Sequence, residues 1–254
     1  MLKLNFFAVA FFAVCFLGSA QTMVTDRPDQ TESSSTVNKG SLQIESGILL
    51  GFTEDDLSSE RQLFAPTTLF RYGILNGVEI RVLNQFESLK DKNSLLKRNG
   101  ISDLEIGTKI SLLNKEHINT KIAFLSHAIL PTGSKDLTND KWGTINKFSI
   151  SHELSNVLGL GYNIGYDYFG SGKGNLTYSI SLGASITKQF GMYIEPYGEL
   201  SDFDSYESNF DVGITYLLKD NCQLDFSFGT GINHTMNYMS LGCSILIERA
   251  EDTD

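Results

Sequence analysis

Acid–base or metal chemistry would fall first to four histidines, His117, His127, His152 and His234. Ser126-His127 and Ser151-His152-Glu153 each set a hydroxyl beside a base, and the second adds a carboxylate. A serine hydrolase needs the base to reach the hydroxyl and a third group to orient the base. Both groups sit in segments of alternating character, and neighbours on a strand project to opposite faces. Neither can form the relay without a bulge, so no catalytic residue is assigned. If the long loop between them centres near residue 137, His127 pairs near residue 147 and His152 near residue 122. That spacing is too wide for the two histidines to share a metal ion. Gly170-Ser171-Gly172-Lys173-Gly174 has the glycines of a phosphate-binding loop, but it joins two strands and opens no helix. It reads as an outer loop. Asp55-Asp56 and the pair Asp202 and Asp204 read as solvated turn residues rather than calcium ligands. No metal and no cofactor is expected.

The remaining charges form a pattern of their own. Strands show as period-two alternation. In 222–229, Cys222, Leu224, Phe226 and Phe228 oppose Gln223, Asp225, Ser227 and Gly229. In 176–187, Leu176, Tyr178, Ile180, Leu182, Ala184 and Ile186 oppose a face of Ser, Thr and Gly. Segments 101–112 and 238–248 alternate in the same way. Six segments carry charges on the polar face: Glu45; Arg71; Glu79 and Arg81; Asp103, Glu105 and Lys109; Glu195 and Glu199; Asp225. Arg71 and Glu79 flank the short Asn76-Gly77 turn and should be close across one hairpin. If that face encloses water, these residues line a lumen and set its ion preference. They serve equally well as a ladder filling a narrow barrel.

Which face is inside depends on the architecture. Between residues 40 and 248 about twelve strand segments are joined by connections that read as alternately short and long. The short joints lie near residues 76, 116, 156, 190 and 220; the longer stretches cover 53–62, 88–100, 131–143, 169–174 and 201–208. Outer-membrane barrels have short periplasmic turns and longer outer loops. A soluble sandwich would use the same alternation with the apolar face inward, but it gives no reason to sort loops by length. The turn spacing also resembles a propeller's period, yet no blade motif repeats. Phe52, Phe64, Phe86, Tyr166 and Phe210 near the long loops, with Tyr72 and Tyr216 near the short turns, fit aromatic girdles at two interfaces. The fold class expected is all-β, a transmembrane antiparallel β-barrel of about twelve strands. A sheet in hydrocarbon must close because nothing outside it can satisfy an open edge.

The ends of the chain agree with that location. Lys3, an apolar run over 6–17 and Gly18-Ser19-Ala20 form a secretory signal over residues 1–20. The run is about twelve residues, short of the roughly 20 needed to span as a helix. Residues 21–39 are polar and patternless and form an N-terminal arm; 40–249 form the barrel; 250–254 form an acidic tail. A net charge of −10 argues against nucleic acid as a partner. The partners expected are outer-membrane lipid, the barrel-assembly machinery and a small-molecule solute. The arm is either a periplasmic leader or a plug, with Asp26, Arg27 and Pro28 entering the lumen and Arg27 meeting carboxylates such as Glu195 or Glu199. Cys222 and Cys243 are expected nearly opposite each other on the last hairpin, where a disulfide is geometrically demanding.

Thr25-Asp26-Arg27-Pro28-Asp29-Gln30-Thr31-Glu32-Ser33, followed by Gly40-Ser41-Leu42-Gln43-Ile44-Glu45-Ser46-Gly47, resembles the start of the MetA-pathway phenol-degradation family of outer-membrane transporters. Arg71-Tyr72-Gly73-Ile74, Gly100-Ile101-Ser102-Asp103-Leu104-Glu105, Leu130-Pro131-Thr132-Gly133-Ser134 and Glu195-Pro196-Tyr197-Gly198 extend the resemblance over nearly all of the chain after residue 20. It implies a barrel in the outer membrane of a Gram-negative bacterium and an uptake role; with no ATP site in view, the expected activity is passive movement of a small solute, aromatic or otherwise hydrophobic. It supplies no catalytic residues. The alternatives are a closed structural barrel and a lipid-modifying barrel enzyme.

Overall fold

The computed structural model describes residues 23–54, 59–94, 96–115 and 117–249. The signal-peptide, acidic-tail and Asp55-Asp56 readings lie outside these residues. The described elements are β1 (Leu42–Glu54), β2 (Ser59–Leu75), β3 (Val78–Asp91), β4 (Lys97–Ile101), β5 (Leu104–Leu113), β6 (Thr120–Leu130), β7 (Gly143–Glu153), β8 (Leu158–Tyr168), β9 (Asn175–Ser185), β10 (Phe190–Ser201), β11 (Ser205–Lys219), β12 (Cys222–Gly231) and β13 (Thr235–Ile247). Each pairs antiparallel with its neighbours, and β1 pairs with both β2 and β13, which closes the ring. β4 and β5 both pair with β3 and occupy one place in the wall, interrupted at Ser102-Asp103, so thirteen segments make twelve wall positions.

The direction of the alternation settles the environment. Leu224, Phe226 and Phe228 are exposed, while Gln223, Asp225 and Ser227 on the other face of β12 are buried. Ile106, Ile110 and Leu112 are likewise exposed and Lys109 buried. Arg71, Arg81, Lys109, Glu45, Glu79 and Glu195 are among the largest fully buried side chains described. This inverts a soluble sandwich. The apolar side faces outward, where only hydrocarbon would favour it, and the polar side is enclosed. Phe52, Phe86 and Tyr166 toward one rim, and Tyr72 and Tyr216 toward the other, are exposed on that outer surface.

The loop asymmetry is weaker than the sequence suggests. The connection from β10 to β11 is only residues 202–204, and that from β12 to β13 only 232–234, whereas 114–119 on the opposite rim is longer. Polar outer stretches stay strand because pairing continues beyond the apolar belt, as in Glu199 with Glu207 and Ser201 with Ser205. The long outer connection is 131–142. Register also shifts slightly from expectation. Cys222 pairs with Ile245 and Cys243 with Leu224, so the two cysteines are diagonal neighbours, and both are free thiols.

Candidate functional site

The arm lies inside the barrel. Met23 and Val37 pack with Leu246 in a small apolar cluster at the periplasmic rim. Lys39 forms a bridge to Gly73 immediately before β1. Between these two anchors the chain rises to mid-height at Gln30–Glu32 and returns, a loop thrust up the lumen. Such a backbone has no ladder of its own, so the wall must supply its partners.

Wall carboxylates meet that need. Backbone N–H groups of Asp26, Gln30 and Val37 donate to Glu45 Oε2 (2.9 Å), Glu195 Oε2 (2.7 Å) and Glu79 Oε2 (2.7 Å). Asn163 closes a two-way pair with Glu32, accepting from its N–H at 2.7 Å and donating to its carbonyl at 3.0 Å. Arg71 donates to the carbonyls of Val24 and Ser35. The Thr31 hydroxyl bonds Glu195 and Ser179. Ser34 bonds Ser151.

Charge is divided between two sides of the ring. On β2, β3 and β5, Arg71, Arg81 and Lys109 converge with Glu45 of β1 and Glu79 of β3. Arg71 contacts Glu45 and Glu79, each at 2.9 Å, and Arg81 reaches Glu79 at 3.0 Å. That wall has three cations and two carboxylates. Asp26 enters among them, 2.5 Å from Arg81, 2.8 Å from Lys109 and 3.2 Å from Arg71. Glu32 adds a second arm carboxylate 2.8 Å from Arg81. Across the lumen, β10, β11 and β12 carry Glu195, Asp211 and Asp225. Arg27 turns that way, donating to Asp225 at 3.1 Å and to the Ser240 hydroxyl at 2.8 Å. Consecutive arm residues of opposite sign therefore bind opposite sides of the barrel. Gly47 and Gly242 leave the room for this: a Cβ on either would collide with the Arg27 guanidinium.

The predicted lumen residues thus sort by what they touch. Glu45, Arg71, Glu79, Arg81, Lys109, Glu195 and Asp225 hold the arm. Glu105 lies 2.9 Å from His127 Nδ1, and His127 Nε2 accepts from Arg81 Nε at 3.0 Å. Glu199 accepts from Asn175 and Ser201 near the outer rim. Asp103 is the exception. At the break between β4 and β5, its carboxylate accepts from the backbone of Gly133 (2.8 Å) and Asn139 (3.1 Å), which ties down the 131–142 connection. Partial burial would raise its pKa, but hydrogen bonds from Thr138, Gly133 and Asn139 hold it below the usual carboxylate range. Of the plug residues, Asp26 and Arg27 make the contacts above, and Pro28 lies beside them. Arg27 meets Asp225 rather than Glu195 or Glu199. Asp211, on the polar parity of β11, faces inward as well and is not among the lumen residues expected from sequence.

Ser151 and His152 diverge. The serine hydroxyl meets Ser34 inside, while His152 bonds Thr120 and Tyr162, 2.8 and 3.2 Å away. Asp202 accepts from the Lys173 N–H and so ties one outer loop to another.

Among the described residues, cavities lie on both sides of the arm. One, of about 680 Å³, opens to the periplasmic rim between Tyr193, Gln223 and the arm residues Arg27–Asp29. Another, of about 670 Å³, opens outward above Gln30 and is lined by Asn163, Asp167, Glu199 and Asn209.

Residues 25–245 match the family described as "Putative MetA-pathway of phenol degradation". The chain belongs to this family. Among solved structures, an outer membrane channel from Pseudomonas putida F1 shares the fold at a TM-score of 0.74 and 11% identity, covering 84% of this chain and 98% of that one. The KdgM porin, in complex with disordered oligogalacturonate, follows at a TM-score of 0.55 and 10% identity, with 81% and 99% coverage. No curated protein matches the sequence significantly. These neighbours are channels and porins, not enzymes. This family member is a twelve-stranded β-barrel of the outer-membrane type, apolar on its outer surface and polar within.

Proposed function

We propose that the protein is a passive channel for a small solute, held shut by its N-terminal arm, and that displacement of the arm opens the path. The observation carrying this reading is the arm segment Arg27–Glu32, which lies between the outer and periplasmic cavities and is bound to wall residues from both sides of the ring. A purely structural barrel would gain nothing from solvent cavities on either side of one polar loop. Polar contacts to an irregular segment are also each modest, about 0.5–1.5 kcal/mol net, so a loop held by them can exchange with water in a way that packed apolar side chains cannot. No energy source is needed for passive movement. Insertion would use the barrel-assembly machinery, although β13 ends on Ile247 and is followed by Glu248-Arg249 rather than by an aromatic residue.

The family description suggests an aromatic or otherwise hydrophobic cargo. The outer cavity, lined largely by carboxylates, hydroxyls and amides, is better matched to a polar one, whereas Met23, Val24, Leu158 and Met192 make the periplasmic cavity mixed. The test is ion conductance in a planar bilayer, comparing the unaltered protein with Asp26→Ala/Arg27→Ala. Low or intermittent conductance that becomes steady in the variant is expected. Silence from both, with heat-modifiable migration showing folded barrels, would sink the channel reading.

A further inference from the structure

The outer cavity has a chemistry that the channel reading does not use. Its floor is the arm residue Gln30, whose side chain donates to the Tyr238 hydroxyl. Its walls carry the carboxylates of Asp167, Glu199 and Glu207 against one cation among the described lining residues, Lys147. The hydrogen-bond inventory is as lopsided as the charge. Asp167 and Asn209, each only 7% exposed, both have a side-chain oxygen without a partner. They reach the cavity from different strands, β8 and β11. Buried acceptors are ordinarily satisfied, so two unsatisfied ones at a single cavity call for an explanation. An acceptor-rich, net negative pocket suits a ligand that brings N–H donors and positive charge. A volume of about 670 Å³ is that of a small-molecule site.

We propose that this outer vestibule is a binding site for a small organic cation bearing primary ammonium groups, with Asp167, Asn209 and Glu199 as its acceptors. The proposal deepens the channel reading, since a solute bound on the outer side of the arm is the one placed to pass when the arm yields. Binding itself does not require passage, so the two ideas fail separately. An anion meets three carboxylates here, and a hydrocarbon leaves the unpartnered oxygens as they are.

Calorimetric titration of the full, arm-containing protein in detergent micelles at low salt provides the test. The probe is putrescine, with butanediol and succinate as neutral and anionic counterparts of the same length. Saturable one-site binding of putrescine is expected, with butanediol at least about tenfold weaker and succinate silent. Asp167→Asn and Glu199→Gln, on separate strands, should each weaken putrescine by about tenfold or more, while Asp204→Asn, exposed in the turn after β10, leaves it unchanged. Unaltered binding in both pocket variants, equal loss in Asp204→Asn, or equal affinity for all three probes would overturn the site. Binding without conductance would keep the site and reject the channel. Conductance without binding would do the reverse.

Discussion

Asp26→Ala should release the arm, and the wall geometry sets the size of the effect. Arg71, Arg81 and Lys109 are essentially without solvent exposure. Within the wall they face only Glu45 and Glu79 at ion-pair distance, and neither of these reaches Lys109. Asp26 contributes the third negative charge and both short contacts to Lys109, at 2.8 and 2.9 Å. Without it, Lys109 keeps only Glu32 at 3.5 Å. Removing one member of a buried ion network typically costs about 3–5 kcal/mol. When the arm leaves, water enters and rehydrates the wall, so the cost falls on docking and not on the barrel. At about 1.4 kcal/mol per decade, that is a rise of roughly 10²- to 10³-fold in the undocked population. A cysteine at Ser34, buried against Ser151, reports it. In a Cys222→Ser/Cys243→Ser background, alkylation of Ser34→Cys by a water-soluble maleimide tracks the open fraction when opening is fast. Asp26→Ala should accelerate labelling by at least about a hundredfold, and Asp26→Asn less, because its one amide oxygen can still accept from Ser33 or Lys109 although its NH2 cannot replace the oxygen facing Arg81. A rate within about threefold of the parent, with the barrel still folded, would refute the claim that charge balance at Lys109 holds the arm.

Gly242→Leu should push Arg27 off Asp225, loosening docking by about 1–3 kcal/mol; the same labelling assay reads it. Gly183→Ala is the control, because a Cβ there meets nothing nearer than 4.0 Å. Asp103 gives a pH dependence. Its folded pKa is depressed, so its hold on the 131–142 connection is complete above the unfolded carboxylate value and is lost as pH falls through the folded one. Protection of the Gly133 and Asn139 amides, measured against their intrinsic exchange rates at each pH, should fall on acidification, and Asp103→Ala should remove both the protection and its pH dependence at these two sites. Cys222 and Cys243 should both alkylate in protein denatured without reductant, since the register sets each opposite another residue; protection of both would mean that a bridge forms.

The alternation in segments such as 222–229 and 101–112 made the barrel wall legible, because period two is a local property of an extended chain and survives without knowledge of its partners. The charged inward positions followed from the same parity, and Arg71 and Glu79 from the geometry of a two-residue turn. Loop length was less readable, since polar residues outside the apolar belt can stay in the ladder, as they do around 202–204. The role of the charges was not readable at all. Arg71, Arg81 and Lys109 gave no sign that their third counter-ion comes from residue 26, and the glycines at 47 and 242 gave no sign that an arginine fills the space they leave. The arm has no periodicity to read, because its backbone bonds go to the wall rather than to itself. By itself the sequence determined a closed polar-inside barrel, since hydrocarbon outside leaves strands no other solution. Only the tertiary structure decided that the polar interior is occupied, because charge balance across a lumen is a sum over strands far apart in the chain.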